Sequence, residues 1–197
     1  KAGRIIRALQ EQCGMKACHY LYYGFMAEEE NRETWLLRYI RLAFHYKREF
    51  LHHLSEEPVW KVRQMARRTG NERHKLLGLL RFRELSGGLL YAPVAPTCCV
   101  VPLMAPHFAA RLSQDAWVIH DVKRGFAVVY DKKKLSLVEV CMRNYDLDLS
   151  DNEKAMESLW QRYYATISIK ERRNDIVRRS FMPKKYWPYL IEDSYHS

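Results

Sequence analysis

Residues 116–140 read AWVIHDVKRGFAVVYDKKKLSLVEV, and their pattern decides the fold. Three runs rich in β-branched and aromatic residues, AWVIHD, GFAVVYD and LSLVEV, are separated by Lys/Arg/Gly and Asp/Lys turn signals. Runs of this length with such boundaries predict three consecutive strands joined by tight connections. Just upstream, LLRFREL at 79–85 alternates, meets Ser86-Gly87-Gly88 and continues as LLYAPV, which predicts a further β-hairpin. On its first strand Arg81 and Arg83 would share one face, with Leu80 and Phe82 on the other and Phe82 in the core. APHFAARL predicts a short helix between the hairpin and the three strands. Residues 79–140 therefore form a mainly antiparallel sheet of about five strands, a common sheet size.

Outward from the sheet the period changes from two to that of a helix. Ile5, Ile6 and Leu9 keep helical spacing, and Cys18, Leu21, Tyr22, Phe25 and Met26 form a second apolar stripe. The acidic run EEENRE precedes a third, in which Trp35, Leu36, Tyr39, Ile40 and Phe44 recur. Pro58 suits a helix start; Val62, Met65, Ala66 and Thr69 would then face inward, leaving Arg63, Arg67 and Arg68 more exposed. Gly70-Asn71 is expected to break that helix, with a shorter one following as far as Gly78. A polar stretch around Asn144–Asn152 is expected to be a linker or loop. Ser150 with Glu153 three residues on is a capping pattern, opening a segment in which Leu159, Trp160 and Tyr163 share a face. The expectation is an α+β fold in one domain over 1–197. It has a mainly helical N-terminal lobe at 1–78, the central sheet, and a C-terminal helical segment at 150–197. The chain starts at Lys1 directly in a helical pattern, so an upstream N-terminal segment is expected to be missing.

The 197 residues are 48% hydrophobic and 13% aromatic, enough to fill a core and to exclude wholesale disorder. Formal net charge is +10, and eight Lys or Arg residues lie between Lys61 and Arg83 against a single acid, Glu72. A charge so concentrated attracts polyanions, of which nucleic acid is the commonest; the bland alternative is a helix with a solvated basic face. No long apolar run or lipidation signal points to a membrane. Five cysteines (Cys13, Cys18, Cys98, Cys99, Cys141) lack CxxC spacing, and no signal peptide opens the chain, so reduced thiols in a cytoplasm are expected. No metal or cofactor is expected. Neither a phosphate-cradling glycine loop nor a nucleophile elbow, zincin or deaminase signature is present.

Basic residues interleave with aromatics at RFRE, near RRN and at KKYWPY, a pairing suited to unpaired nucleic acid, because cations neutralise phosphate and aromatic faces stack bases. Arg63, Arg67, Arg81, Arg83 and Arg124 are the candidate phosphate contacts. Arg172, Arg173, Lys184 and Lys185 would extend the surface, with Tyr186 and Trp187 as stacking residues. The competing role for Tyr186, Trp187 and Tyr189 is to pin the C-terminal segment to the body. Candidates for catalysis are His120 and Asp121 at the end of an apolar strand, His107 in Pro106-His107-Phe108, and Glu84 beside Arg83. Adjacent strand residues face opposite ways, so His120 and Asp121 cannot easily form a dyad. A structural histidine, or an ion pair for Glu84, is the commoner outcome.

NERHKLLGLLRFREL, LLYAPVAP, PLMAPHFAARL, WVIHDVKRGFAVVY and the ending ERRN…RRSFMPKKYWPYL resemble a bacterial family of DNA metabolism or repair proteins, otherwise a domain of unknown function, family 4130. The resemblance runs from about Arg4 to Leu190. It implies a DNA context: members are sometimes fused to a uracil-DNA-glycosylase-like domain and tend to occur beside a radical-SAM protein. The family usually has a further N-terminal segment, and the resemblance carries no catalytic assignment. The expected function is DNA binding in repair or metabolism, as an accessory to a catalytic partner. The rival expectations are an enzyme acting on damaged DNA, glycosylase-like or nuclease-like, and a basic interaction module for an acidic protein. RNA is an alternative ligand, since phosphate contacts do not distinguish the sugars.

Overall fold

The computed structural model describes residues 2–140, 148–167 and 179–190. The fold is α+β, with helices at the N-terminus and a five-stranded, mostly antiparallel sheet. The chain divides into two compact units, one of residues 1–73 with 97–100, the other of residues 74–96 with 101–197.

The helical unit contains α1 (Ala2–Cys13), α2 (Met15–Phe25), α3 (Arg32–Tyr46), a 3₁₀ segment at Lys47–His52, and most of α4 (Glu57–Leu79). Its core is built from Leu9, Ala17, Leu36, Tyr39, Phe50, Val59, Val62 and Met65. Tyr39 is fully buried; its ring meets Phe50 edge-on at 4.7 Å and its hydroxyl donates to the Ala17 carbonyl at 3.2 Å. That bond removes the cost of burying the phenol, so a polar atom can sit in the middle of an apolar core. Gly24 allows close packing here: a Cβ at this position would lie 3.2 Å from Val62 Cγ1 and 3.3 Å from Leu36 Cδ2.

The expected break at Gly70-Asn71 does not occur, and α4 runs unbroken for 23 residues. A helical glycine costs about 1 kcal/mol relative to alanine. Against that, Thr69 and Leu76 are buried on either side of it, and Glu72 is anchored, as described below. The apolar stripes of the first two helices also differ in detail from expectation, since Ile5, Ile6, Tyr22 and Phe25 are exposed and Leu9 and Ala17 carry the burial.

In the second unit the sheet order is β1-β2-β3-β4-β5, with β1 at Arg83–Glu84, β2 at Leu90–Val94, β3 at Trp117–Asp121, β4 at Phe126–Tyr130 and β5 at Leu135–Glu139. Only β2 and β3 run parallel, connected through α5 (Val101–Arg111). The other neighbours are antiparallel. The three strands expected over 116–140 are all present. The hairpin upstream is present but short: β1 has two residues, and Arg81 lies before it rather than on it. Arg83 pairs with Tyr91, so continuing that register would set Arg81 opposite Pro93. Proline has no N–H to donate, and the ladder stops. Phe82 does pack inward, edge-on to Phe108 at 5.3 Å and to Trp117 at 6.0 Å.

α6 (Asp151–Ile167) begins at the expected cap, where the Ser150 hydroxyl accepts the Glu153 N–H at 3.0 Å. Glu153 does not close the reciprocal half of a capping box; its carboxylate instead accepts the Glu84 N–H at 3.1 Å. The start of α6 is thereby fastened to β1. A closing 3₁₀ segment, Lys184–Tyr189, buries Tyr186 and precedes the buried Leu190.

Candidate nucleic-acid interface

α4 carries Trp60, Arg63, Arg67 and Asn71, spaced three or four residues apart and hence on one stripe of the helix. With His19 and Tyr20 of α2 they line a groove of about 730 Å³ in the helical unit. Arg63 is half-buried and its guanidinium lies over the Tyr20 ring, 5.4 Å from the centroid. The His19 ring packs on Tyr23 at 4.1 Å. Tyr23 in turn lies 3.9 Å from where a Cβ on Gly70 would stand, an ordinary van der Waals distance, so Gly70 sits in the helix beside an aromatic ring at the groove. Aromatic faces and two guanidinium groups thus share one concave surface.

The acid in the basic segment is turned inward. Glu72 is buried and accepts the backbone N–H groups of Thr97 at 2.9 Å and Cys98 at 2.6 Å, holding residues 97–100 to the helical unit. The Cys99 N–H donates to the Met26 carbonyl at 2.8 Å and secures the same stretch. Cys98 is fully buried, and burial pushes its thiol up to about 11. Glu72 therefore directs its carboxylate at two backbone donors of residues 97 and 98. Among the described residues no carboxylate pairs with Arg63 or Arg67. Two like charges one helical turn apart repel by a few tenths of a kcal/mol, a cost that a bound anion would reverse.

The other basic candidates are placed differently. Arg68 approaches Glu29 at 3.7 Å. Arg81 donates to the Gly78 carbonyl at 3.0 Å and so caps the end of α4. Arg83 pairs with Glu157 of α6 at 3.1 Å, both side chains being largely buried. Arg124 binds the Asp121 carboxylate at 2.6 Å and the Pro96 carbonyl at 3.2 Å. Lys184 and Lys185 lie on the closing 3₁₀ segment, over the rings of Trp187 and Tyr186 respectively. Trp187 donates its indole N–H to the Met182 carbonyl, and Tyr186 is buried. Arg172 and Arg173 lie outside the described residues. Within the long basic cluster, Arg68 and Arg83 thus meet acids remote in sequence, Arg81 turns back onto the end of α4, and Arg63 and Arg67 face a groove.

The catalytic candidates sit in the second unit. Both faces of β3 are covered, leaving His120 1% and Asp121 0% exposed. His120 Nδ1 is 2.7 Å from the Tyr91 hydroxyl, and burial holds the imidazole below its usual range. Asp121 accepts both the Arg124 N–H and its guanidinium. Glu84 accepts from the Ser150 hydroxyl at 3.4 Å. His107 is exposed on α5, its ring against Phe108. Among the described residues no group of three His, Cys, Asp or Glu side chains is arranged to hold a metal ion, and no helix is long and apolar enough to cross a membrane.

Sequence reasoning missed Trp60, His19, Tyr20 and Asn71 as site residues. The signal was there in Val59-Trp60-Lys61-Val62-Arg63, the same basic–aromatic interleaving recognised at RFRE and KKYWPY, here placed on a helix.

An α+β protein with a basic, aromatic groove on its helical unit is what fold and site together define. The chain belongs to the family described as domain of unknown function DUF4130, whose model matches residues 30–192. The match takes in the groove stripe on α4 and the whole described sheet. Neither a curated protein nor a solved structure matches the chain.

Proposed function

We propose that the protein binds DNA through the groove of its helical unit and serves DNA repair or metabolism as an accessory to a catalytic partner. The observation that carries this reading is the Arg63–Arg67 pair: two guanidinium groups on one helix face, uncompensated by any described carboxylate, beside exposed aromatic rings. Phosphate supplies the missing negative charge, and arginine meets it in bidentate geometry. The accessory role rests on the family resemblance, which suggests a radical-SAM protein or a uracil-DNA-glycosylase-like protein as the partner. It also fits the burial of His120 and Asp121, which leaves neither side chain open to a substrate.

The test is a binding titration by fluorescence anisotropy at several salt concentrations. Each phosphate contact contributes roughly 0.7–0.9 to the slope of log K against log salt. Arg63→Ala/Arg67→Ala, checked for folding by circular dichroism, should flatten that slope by about 1.4–1.8. Unchanged affinity and slope in the folded double variant would refute the assignment. Arg83→Ala, whose charge Glu157 already offsets, should change the slope less.

A further inference from the structure

We infer that the groove takes DNA in single-stranded form, with an unpaired base stacked on Trp60, phosphates on Arg63 and Arg67, and the strand continuing over Lys61 towards Trp35 and Arg38. This rests on the DNA-binding reading above and adds strandedness, a stacking residue and a path.

Three observations converge on it. The first is size. About 730 Å³ lies within the span of small-molecule sites, roughly 300–1,000 Å³. A nucleotide enters such a space; a duplex, whose bases are already stacked on one another, does not. The second is the chemistry of the wall. Trp60 is 51% exposed, an unusual position for the largest apolar side chain, and it lies on the stripe that carries both groove arginines. Base–aromatic stacking tolerates any base because each has a π-face, and it requires that base to be out of a duplex. Third, cations and aromatic rings alternate beyond the groove. Lys61 Nζ lies 5.4 Å from the Trp60 ring centroid and 5.8 Å from that of Trp35, and the Arg38 guanidinium lies 5.2 Å from Trp35. The sequence of groups is therefore arginine pair, Trp60, Lys61, Trp35, Arg38. That is the alternation of phosphate-neutralising and base-stacking groups by which a groove tracks a single strand without reading its sequence. Leu54, exposed at the groove, adds apolar surface for the face of a base, and the groove lining holds no acidic side chain.

The experiment uses the full chain and three fluorescein-labelled probes of equal length: oligo-dT, a blunt mixed-sequence DNA duplex, and oligo-rU. Anisotropy at low salt should give single-stranded DNA at least about tenfold tighter than duplex. Trp60→Ala should weaken binding to the single strand by about tenfold or more, from the loss of one stacked base, and Trp60→Phe should recover most of it. Trp60 is half-exposed, so both variants should retain the wild-type melting temperature. Duplex bound as tightly as the single strand, with dependence on Arg63 and Arg67, would overturn this inference and leave DNA binding intact. Unchanged single-strand affinity in Trp60→Ala, or oligo-rU bound tenfold tighter than oligo-dT, would also overturn it. No binding to any probe at low salt would remove both this inference and the DNA-binding reading.

Discussion

Substituting Glu72 with alanine tests the tether between the body of α4 and residues 97 and 98. In the folded chain this carboxylate accepts two backbone N–H groups, from Thr97 and from the fully buried Cys98. A hydrogen bond to a charged group contributes roughly 1.5–3 kcal/mol net, and a buried donor left without an acceptor costs roughly 1–3 kcal/mol. The Cys98 N–H has no route to water and takes the full penalty. The Thr97 N–H is only partly buried and recovers some hydration. Together they place the loss at about 3 kcal/mol. For a chain of this size that is a fall of roughly 6–12 °C in melting temperature. Glu72→Gln keeps one acceptor oxygen and should lose about half as much. Hydrogen exchange read by mass spectrometry supplies the local check: amides 97 and 98 should be protected in the wild type and exchange early in the alanine variant. A melting shift under about 2 °C, or unchanged protection at those two amides, would refute the view that Glu72 holds residues 97–100.

Two further expectations concern the buried groups of β3. Burial holds the His120 imidazole below its ordinary 6.5. As pH falls through about 6.5 the unfolded chain therefore binds a proton that the folded chain resists, and stability present above that pH is lost below it. Urea midpoints measured from about pH 8 to about pH 5 should fall over the acid half of that range, less steeply in His120→Gln; equal slopes would exclude His120 as the source. Removing the Arg124 side chain takes the guanidinium away from the buried Asp121 carboxylate, and breaking a buried ion pair costs about 3–5 kcal/mol. Arg124→Ala should lower the denaturation free energy by that amount and Arg124→Lys by less, whereas a loss under about 1 kcal/mol would show the pair to be dispensable.

The elements that could be read from the chain are those whose signal is local. WVIHD, FAVVY and LSLVE became β3, β4 and β5 because their residue types, lengths and turns all agree. Ser150 caps α6 because an N-cap needs only three following residues. The misreadings arise where a distant group decides. Gly70 looks like a helix end until the anchoring of Glu72 two residues on is known. RFREL alternates like a full strand, yet the proline that truncates it lies across the sheet. The charge cluster is the sharpest instance. Nothing within residues 61–83 distinguishes Arg83 from Arg63; the difference is Glu157, 74 positions beyond Arg83. Compensation between charges is a property of three-dimensional neighbours, so the groove pair emerges only from the folded chain.

Cys98 gives this protein an internal clock. With its thiol pushed up to about 11, roughly one in ten thousand of these sulfurs is thiolate at neutral pH. Its full burial denies access even to that fraction. An alkylating reagent therefore reacts at this position only during excursions that lift residues 97–100 away from α4. The rate at which Cys98 acquires label is the opening constant of that contact multiplied by the reactivity of a solvated thiol. A reagent added to the intact native protein would thus time the loosening of the groove-bearing helix directly, and a strand seated in the groove that braces the helix would slow the clock.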